Sequence, residues 1–372
     1  MSGQLNTRII DGDGHILEDN PGILEHMEKP YRDIAAKKGI IFPPIDHLHD
    51  GRAVETPPLR DGREKVGPDG WLQFLDDVGI DWTVMYPTQG LGYGKIVSLD
   101  YAVAACKAYN DWTYHTYLQR DPRFNAMGLI PMQDPEEAAR ELHRIVTELG
   151  MMGGMMPSNG LPLPVGAKAY WPIYEVADRL GCCLAVHGGC HDRFGLDHMN
   201  MYTPVHALGH PWGIALNCAN ILYNGIFERF PNVRIAFLEG GVAWLLLLLE
   251  RLHASHETHF QYVPDGEFSI GEEDDPARII KQLIEEDRFY LGIETEELTL
   301  PFAIQKVGHR PFLYSSDFPH EVTTKSCIHD IGELMESDEL TADDKAAMLY
   351  RNAERFYKPE PEPAEAAVAA KA

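Results

Sequence analysis

What most constrains the fold of this chain is a repeat in its patterning. Eight times, a short apolar run is followed by a stretch with helical periodicity. The runs are "TRIID" (7–11), "WTVMYP" (82–87), "NAMGLIP" (125–131), "GGMMP" (153–157), "CCLAVHGG" (182–189), "VRIAFLEGG" (233–241), "RFYLGIE" (288–294) and "PFLYSSD" (311–317). They are mostly apolar throughout and do not alternate, as expected of parallel strands covered on both faces. One intervening helix is bracketed by its own signals, with Asp134-Pro135 and Glu136 to open it and Gly150 to close it. Eight βα units predict an α/β fold, a (β/α)8 TIM barrel. The competing architecture, an open doubly wound sheet, has fewer strands as a rule, and no GxGxxG follows the first run.

The repeat occupies one expected domain, residues 1–357 of 372. Residues 40–70, rich in Pro, Gly and charge, read as a long loop inserted after the first strand and its helix, placed to cover a barrel mouth. Residues 358–372, "KPEPEPAEAAVAAKA", read as a disordered tail. With 32 Lys and Arg against 57 Asp and Glu, the formal charge of −25 would repel nucleic acid and anionic membranes. The longest apolar run, inside "GGVAWLLLLLERL", is too short to span a bilayer, and "MSGQLNTR" lacks the apolar core of a signal peptide. Six cysteines without a CxxC pair read as reduced, mostly buried thiols. The expected compartment is cytoplasmic, and the expected partner is a small molecule.

Barrel enzymes gather their chemistry at the C-terminal ends of the strands. Here run one leads into Asp13-Gly14-His15, run five ends at His187, run six at Glu239, and run eight at Asp317 with His320 just beyond. Carboxylates and imidazoles converging on one mouth suit a divalent ion such as Zn, Mn or Fe. Without one, the like charges would repel each other and raise their pKa values. Each residue also has an ordinary reading: Asp11 and Asp13 as turn or capping residues, His187 as a hydrogen-bonded core histidine, Asp317 as a turn cap. Their joint placement at strand ends favours a metal site of Asp13, His15, His187 and Asp317, with Glu18 as a further candidate ligand. Asp11 is expected to orient the turn or support that site. "HGGCHDRFGLDHMNMYTPVHALGHP" adds His191, His198, His206 and His210, of which only two or three can face the metal. In the 40–70 loop, His47-x-His49 imitates a metal pair, and Arg52, Arg60 and Arg63 are candidate clamps for a carboxylate, although a solvated loop explains them as well.

Taken in order, "DGDGHILE", "GIDWTVMYPTQGL", "YNDW", "PMQDPEEAARELHR", "VHGG", "GIFERFPNVRIAFLEGG" and "SSDFPH" resemble the amidohydrolase-related family. That family includes aminocarboxymuconate-semialdehyde and dihydroxybenzoate decarboxylases. The resemblance covers about residues 7–357 and implies a barrel of the metal-dependent hydrolase superfamily. It implies a metal held at the positions of Asp13, His15, His187 and Asp317. Two departures stand out. The commonest strand-one motif of the family is His-x-His, where this chain has Asp13-x-His15. Aminocarboxymuconate-type decarboxylases place a proton-handling histidine at strand six, where this chain has Glu239.

The leading expectation is a metal-dependent enzyme acting on a small carboxylated substrate by decarboxylation or hydrolysis. Glu239, His191, His320 and Asp317 are the candidates for proton transfer and catalysis. A second expectation is a dinuclear non-haem Fe/Mn oxygenase, with Glu18, Glu239, His191 and His320 as extra ligands for a second metal. A third is a non-catalytic metal-binding subunit in a hetero-oligomer with an active homologue. The resemblance itself implies a homodimer.

Overall fold

The expected strands are present as eight parallel strands in sequential order: β1 (Ile10–Ile16), β2 (Trp82–Pro87), β3 (Phe124–Leu129), β4 (Gly153–Pro157), β5 (Cys183–His187), β6 (Arg234–Leu238), β7 (Phe289–Ile293) and β8 (Phe312–Tyr314). A computed structural model describes residues 7–48, 66–262, 270–320 and 322–357. Nearly every strand residue is buried, which accounts for their continuous apolar character. Ladder pairing runs from β1 through to β8. The barrel is then drawn together just past β8, where Asp317 N donates to Asp13 O (3.1 Å) and His15 N to Phe318 O (2.7 Å). This is a (β/α)8 barrel with helices on its outside.

Two boundaries differ from expectation in ways that matter for the site. The first strand is Ile10–Ile16 rather than residues 7–11, so Asp13 and His15 lie inside the strand and not after it. Asp and Gly are turn-formers by local preference, but here the barrel buries them. The strand carries a bulge: Asp11 pairs with Thr83 and Gly14 with Met85, three positions on β1 against two on β2. The helix expected near "GIALNCANILYNGIFERF" begins much earlier and runs Tyr202–Tyr223, taking Pro211 into its interior. His206 and His210 therefore sit one turn apart on a helix rather than in a loop.

Other local signals work as read. Asp134 caps the helix Pro135–Thr147 by accepting from the amides of Glu136 and Glu137, and Gly150 takes a φ of 68° shortly after it ends. The 40–70 segment is not all loop, since Pro68 opens the helix Pro68–Val78. Its Trp71 is wholly buried, packs edge-on against Phe318 at 4.8 Å between ring centroids, and donates its indole N–H to His15 O (3.1 Å). An aromatic pair of this kind adds roughly 0.5–1.5 kcal/mol beyond area burial. Below the site, Tyr357 of the last helix donates to Gly12 O (2.6 Å) and meets the Tyr86 hydroxyl (2.9 Å), so the end of the helical layer closes the barrel floor. His49, Arg52, Arg60, Arg63 and the expected tail 358–372 lie outside the described residues. All six cysteines are buried and unpaired. Among the described residues, no helix is long and apolar enough to cross a membrane.

Candidate metal centre

β1 delivers the first donors. Gly14 is required between them: a Cβ there would lie 2.4 Å from the Trp71 ring and 2.7 Å from Asp11 Oδ2. Asp11 is consumed by the framework. Its Oδ1 accepts from Ser316 N (2.8 Å), and its Oδ2 accepts from Thr83 Oγ1 (2.7 Å) and Ser316 Oγ (2.8 Å). Those bonds tie β1 to β2 and to the end of β8, and they set Asp13 and His15 against Asp317.

Asp13 and His15 are differently placed. His15 Nδ1 is 2.8 Å from Pro87 O, and a backbone carbonyl can only accept, so Nδ1 carries the proton and Nε2 presents a lone pair. That Nε2 lies 3.7 Å from Asp13 Oδ1 and 3.4 Å from Asp317 Oδ1. His187, at the end of β5, repeats the arrangement. Its Nδ1 donates to Gly188 O (2.6 Å), and its Nε2 is 3.1 Å from Asp13 Oδ1. In both histidines a backbone carbonyl fixes the tautomer and aims Nε2 at the carboxylates.

Glu239 and Asp317 follow β6 and β8 in left-handed backbone, with φ of 63° and 51°. For residues other than glycine this conformation costs roughly 1–3 kcal/mol and is retained where the surroundings enforce it. Glu239 Oε2 is 2.9 Å from His210 Nδ1 and 3.4 Å from His187 Nδ1, while Oε1 is 4.0 Å from His320 Nδ1. His320 stacks on His15 with centroids 4.0 Å apart. Its Nδ1 lies 2.7 Å from Asp317 Oδ1, and its Nε2 lies 3.0 Å from Thr88 Oγ1.

Among the described residues, two groups of donors come within metal-binding reach. One is Asp13, His15 and His187, and the other is His15, Glu239, Asp317 and His320. The donors fit a divalent cation by type, being carboxylate oxygens and imidazole nitrogens in a buried setting. Two buried atoms that lack any hydrogen-bond partner, Asp13 Oδ2 and His15 Nε2, support the fit. The electrostatics agree. Burial lifts the Asp13 carboxyl to about 6, with the neighbouring His187 working against that rise. For His187 burial acts downward, but the charges of Asp13 and Glu239 outweigh it and raise the imidazole to about 9. At neutral pH a proton on His187 thus occupies the place that a cation would take between two donors. Burial and the nearby His320 hold His15 well below the usual histidine value. Glu239 stays well below the carboxylate range, since His210 and His187 more than offset its burial.

Three residues named from sequence stand apart from these groups. Glu18 is not aimed at them. Its carboxylate accepts from the amides of Thr88 (3.0 Å), Gln89 (2.9 Å) and Gly90 (2.8 Å), pinning the loop after β2, and burial raises it to about 7. His191 lies one layer back, with Nδ1 3.6 Å from Asp46 Oδ2. His47 holds Met199 O through Nε2 (2.7 Å). Conversely, the sequence carries no site signal for Asp46 or Thr88, and it offers His210 only as one of several histidines near the mouth. Glu294 follows β7. The only sequence signal for it was its place at a strand end.

A parallel barrel with buried carboxylates and imidazoles at its strand ends defines the class of metal-dependent barrel enzymes. The chain belongs to the Amidohydrolase family, whose model matches residues 10–358. It is 23% identical over 308 residues to the gamma-resorcylate decarboxylase of Polaromonas sp. strain JS666, covering 78% of this chain and 87% of that protein. It is 28% identical over 174 residues to the 2-amino-3-carboxymuconate-6-semialdehyde decarboxylase of Dictyostelium discoideum, covering 47% of this chain and 48% of that protein. The match to the Dictyostelium protein thus spans about half of its length. A dihydroxybenzoic acid decarboxylase from Polaromonas sp. JS666, solved with bound manganese and the inhibitor 2-nitroresorcinol, superposes with a TM-score of 0.66 at 18% identity, covering 95% of this chain and 97% of that one.

Proposed function

We propose that this protein is a metal-dependent decarboxylase of a small aromatic carboxylic acid. The observation that carries the reading is the constellation of buried Asp13, His15 and His187 with the partly exposed Asp317, with unsatisfied donor atoms among them, in a chain similar over most of its length to a decarboxylase of a hydroxybenzoate. The cation held there would bind the substrate's oxygen atoms and draw electron density from the ring. Loss of CO2 from an aromatic carboxylate consumes one proton, which must reach the ring carbon. Asp317 and His320 are the pair nearest that task. Their side chains touch at 2.7 Å, and Asp317 keeps partial access from the mouth, with a side chain 26% exposed. Glu239, held as the carboxylate, stands 4.0 Å from His320 and can stabilise the imidazole in its protonated form. Metal-loaded protein incubated with a panel of hydroxybenzoates should release CO2. Absence of turnover across that panel would remove the decarboxylase assignment.

The second donor group favours a finer reading. His15 has only one nitrogen to give, so a second cation would rest on Glu239, Asp317 and His320. A dinuclear centre would bring the oxygenase alternative forward. Metal analysis separates the two: one metal per chain supports the mononuclear decarboxylase, and two including Fe support the dinuclear form.

For the oligomer, the proposal is a homodimer. The helix Tyr202–Tyr223 contains no Asp, Glu, Lys or Arg and exposes Leu208, Trp212 and Leu216 one turn apart. On a chain of charge −25, an uncharged face is where two copies approach with least repulsion. Sedimentation equilibrium of the Trp212→Glu variant tests this face.

A further inference from the structure

Behind Glu239 lies a second layer of imidazoles that the metal centre does not use. His210 reaches Glu239 Oε2 from the helix Tyr202–Tyr223 at 2.9 Å. His191 packs on His210 with ring centroids 4.5 Å apart, and Asp46 stands 3.6 Å behind His191. His191 and Asp46 are wholly buried and His210 nearly so. Glycines make room for the rings: a Cβ on Gly188 would lie 2.3 Å from His210 Nδ1, and one on Gly209 would lie 2.2 Å from His191 Cδ2. A layer that excludes side chains at two positions is shaped around its imidazoles.

We propose that His210 is a positioning residue for Glu239, with His191 and Asp46 as its buttress. A carboxylate has two oxygens, and the torsion that exchanges them is soft. His210 Nδ1 stands 2.9 Å from Oε2 as an ion-pair contact, nearer than any other imidazole, and Oε1 is the oxygen turned toward His320. His187 cannot take over this duty. Its Nδ1 is 3.4 Å from Oε2, but its single proton there is already given to Gly188 O at 2.6 Å. His210 is thus the group placed to decide which Glu239 oxygen faces the reacting groups, by closing this contact into a hydrogen bond. The backbone at Glu239, with its φ of 63°, sets the starting point of the side chain but not its last torsion.

The inference rests on the decarboxylase reading for its kinetic arm only. His210→Ala should lower kcat about 100-fold, the scale expected when a catalytic group is misplaced by about 1 Å, with KM and metal content little changed. His210→Asn places an amide N–H where Nδ1–H stood and should recover most of that loss. The second arm needs neither substrate nor metal. In histidine-labelled protein, NMR should show an exchange-protected imidazole N–H at low field that disappears in both His210→Ala and Glu239→Leu. The proposal is overturned if His210→Ala keeps wild-type kcat, if the Asn variant is no better than Ala, or if the resonance survives Glu239→Leu. If no acid is turned over at all, the decarboxylase reading fails while the NMR pair still decides this one.

Discussion

Asp11 and Asp13 sit two residues apart on one strand, both buried, and they have opposite fates. Asp11 receives the hydroxyls of Thr83 and Ser316 and the amide of Ser316, so its lone pairs are spoken for. Asp13 shares Oδ1 with His187 and leaves Oδ2 without a partner. Glu18 resembles Asp11, with three backbone amides around its carboxylate. The contrast teaches that acidity does not mark a metal ligand in this protein. What marks Asp13 as a candidate ligand is a buried oxygen beside two imidazoles that the protein itself does not satisfy.

The largest effect should come from the unsatisfied side of that contrast. Asp13→Ala or Asp317→Ala should abolish turnover and weaken metal binding by more than about 100-fold, since even groups behind metal ligands are worth roughly 10–100-fold. Metal analysis after dialysis checks this, and retained stoichiometric metal in both variants would break the comparison. The same site sets a proton count. With His187 raised to about 9, metal loading at pH 8 should release a proton, read by calorimetry in buffers of different ionisation enthalpy.

The satisfied side should respond through stability. Asp11→Ala strands buried donors on Thr83 and Ser316 and should cost about 1–3 kcal/mol in chemical denaturation, with metal still bound by the folded protein. The smallest effect concerns pH. Glu18 is raised to about 7 in the folded chain, above its unfolded value, so its contribution is fully present below that unfolded value and is lost as pH rises through about 7. Thermal stability should therefore decline between pH 5 and 8, and Glu18→Gln should flatten the slope. An unchanged slope would show that the amide cradle leaves Glu18 with its ordinary carboxylate titration.

The barrel was legible because each strand is short, apolar and followed by a helix, a pattern that survives errors at the ends. Asp13, His15, His187, Glu239 and Asp317 were legible for the same reason, since strand order alone brings their ends together. Glu18 was ambiguous because its partners are the amides of Thr88, Gln89 and Gly90, about 70 residues away and without a side-chain signature. His210 was visible only as one of several mouth histidines, and its helical placement was hidden by Pro211, which locally argues against a helix but is carried inside one here. The loop arginines remain untested, because they lie outside the described residues.

The bulge in β1 has a consequence for how this chain tolerates change in length. Removing one residue at Gly12 would let β1 pair evenly with β2 and so cure an irregularity. Gly14 and His15 would keep Met85 and Tyr86 opposite them, but Asp13 would be drawn out of the bulge into the ladder opposite Val84, away from its present contacts with His187 and the end of β8. The spare residue of β1 thus places Asp13 in the candidate metal centre, and a single-codon deletion there should yield a better-paired strand in a protein that no longer retains metal.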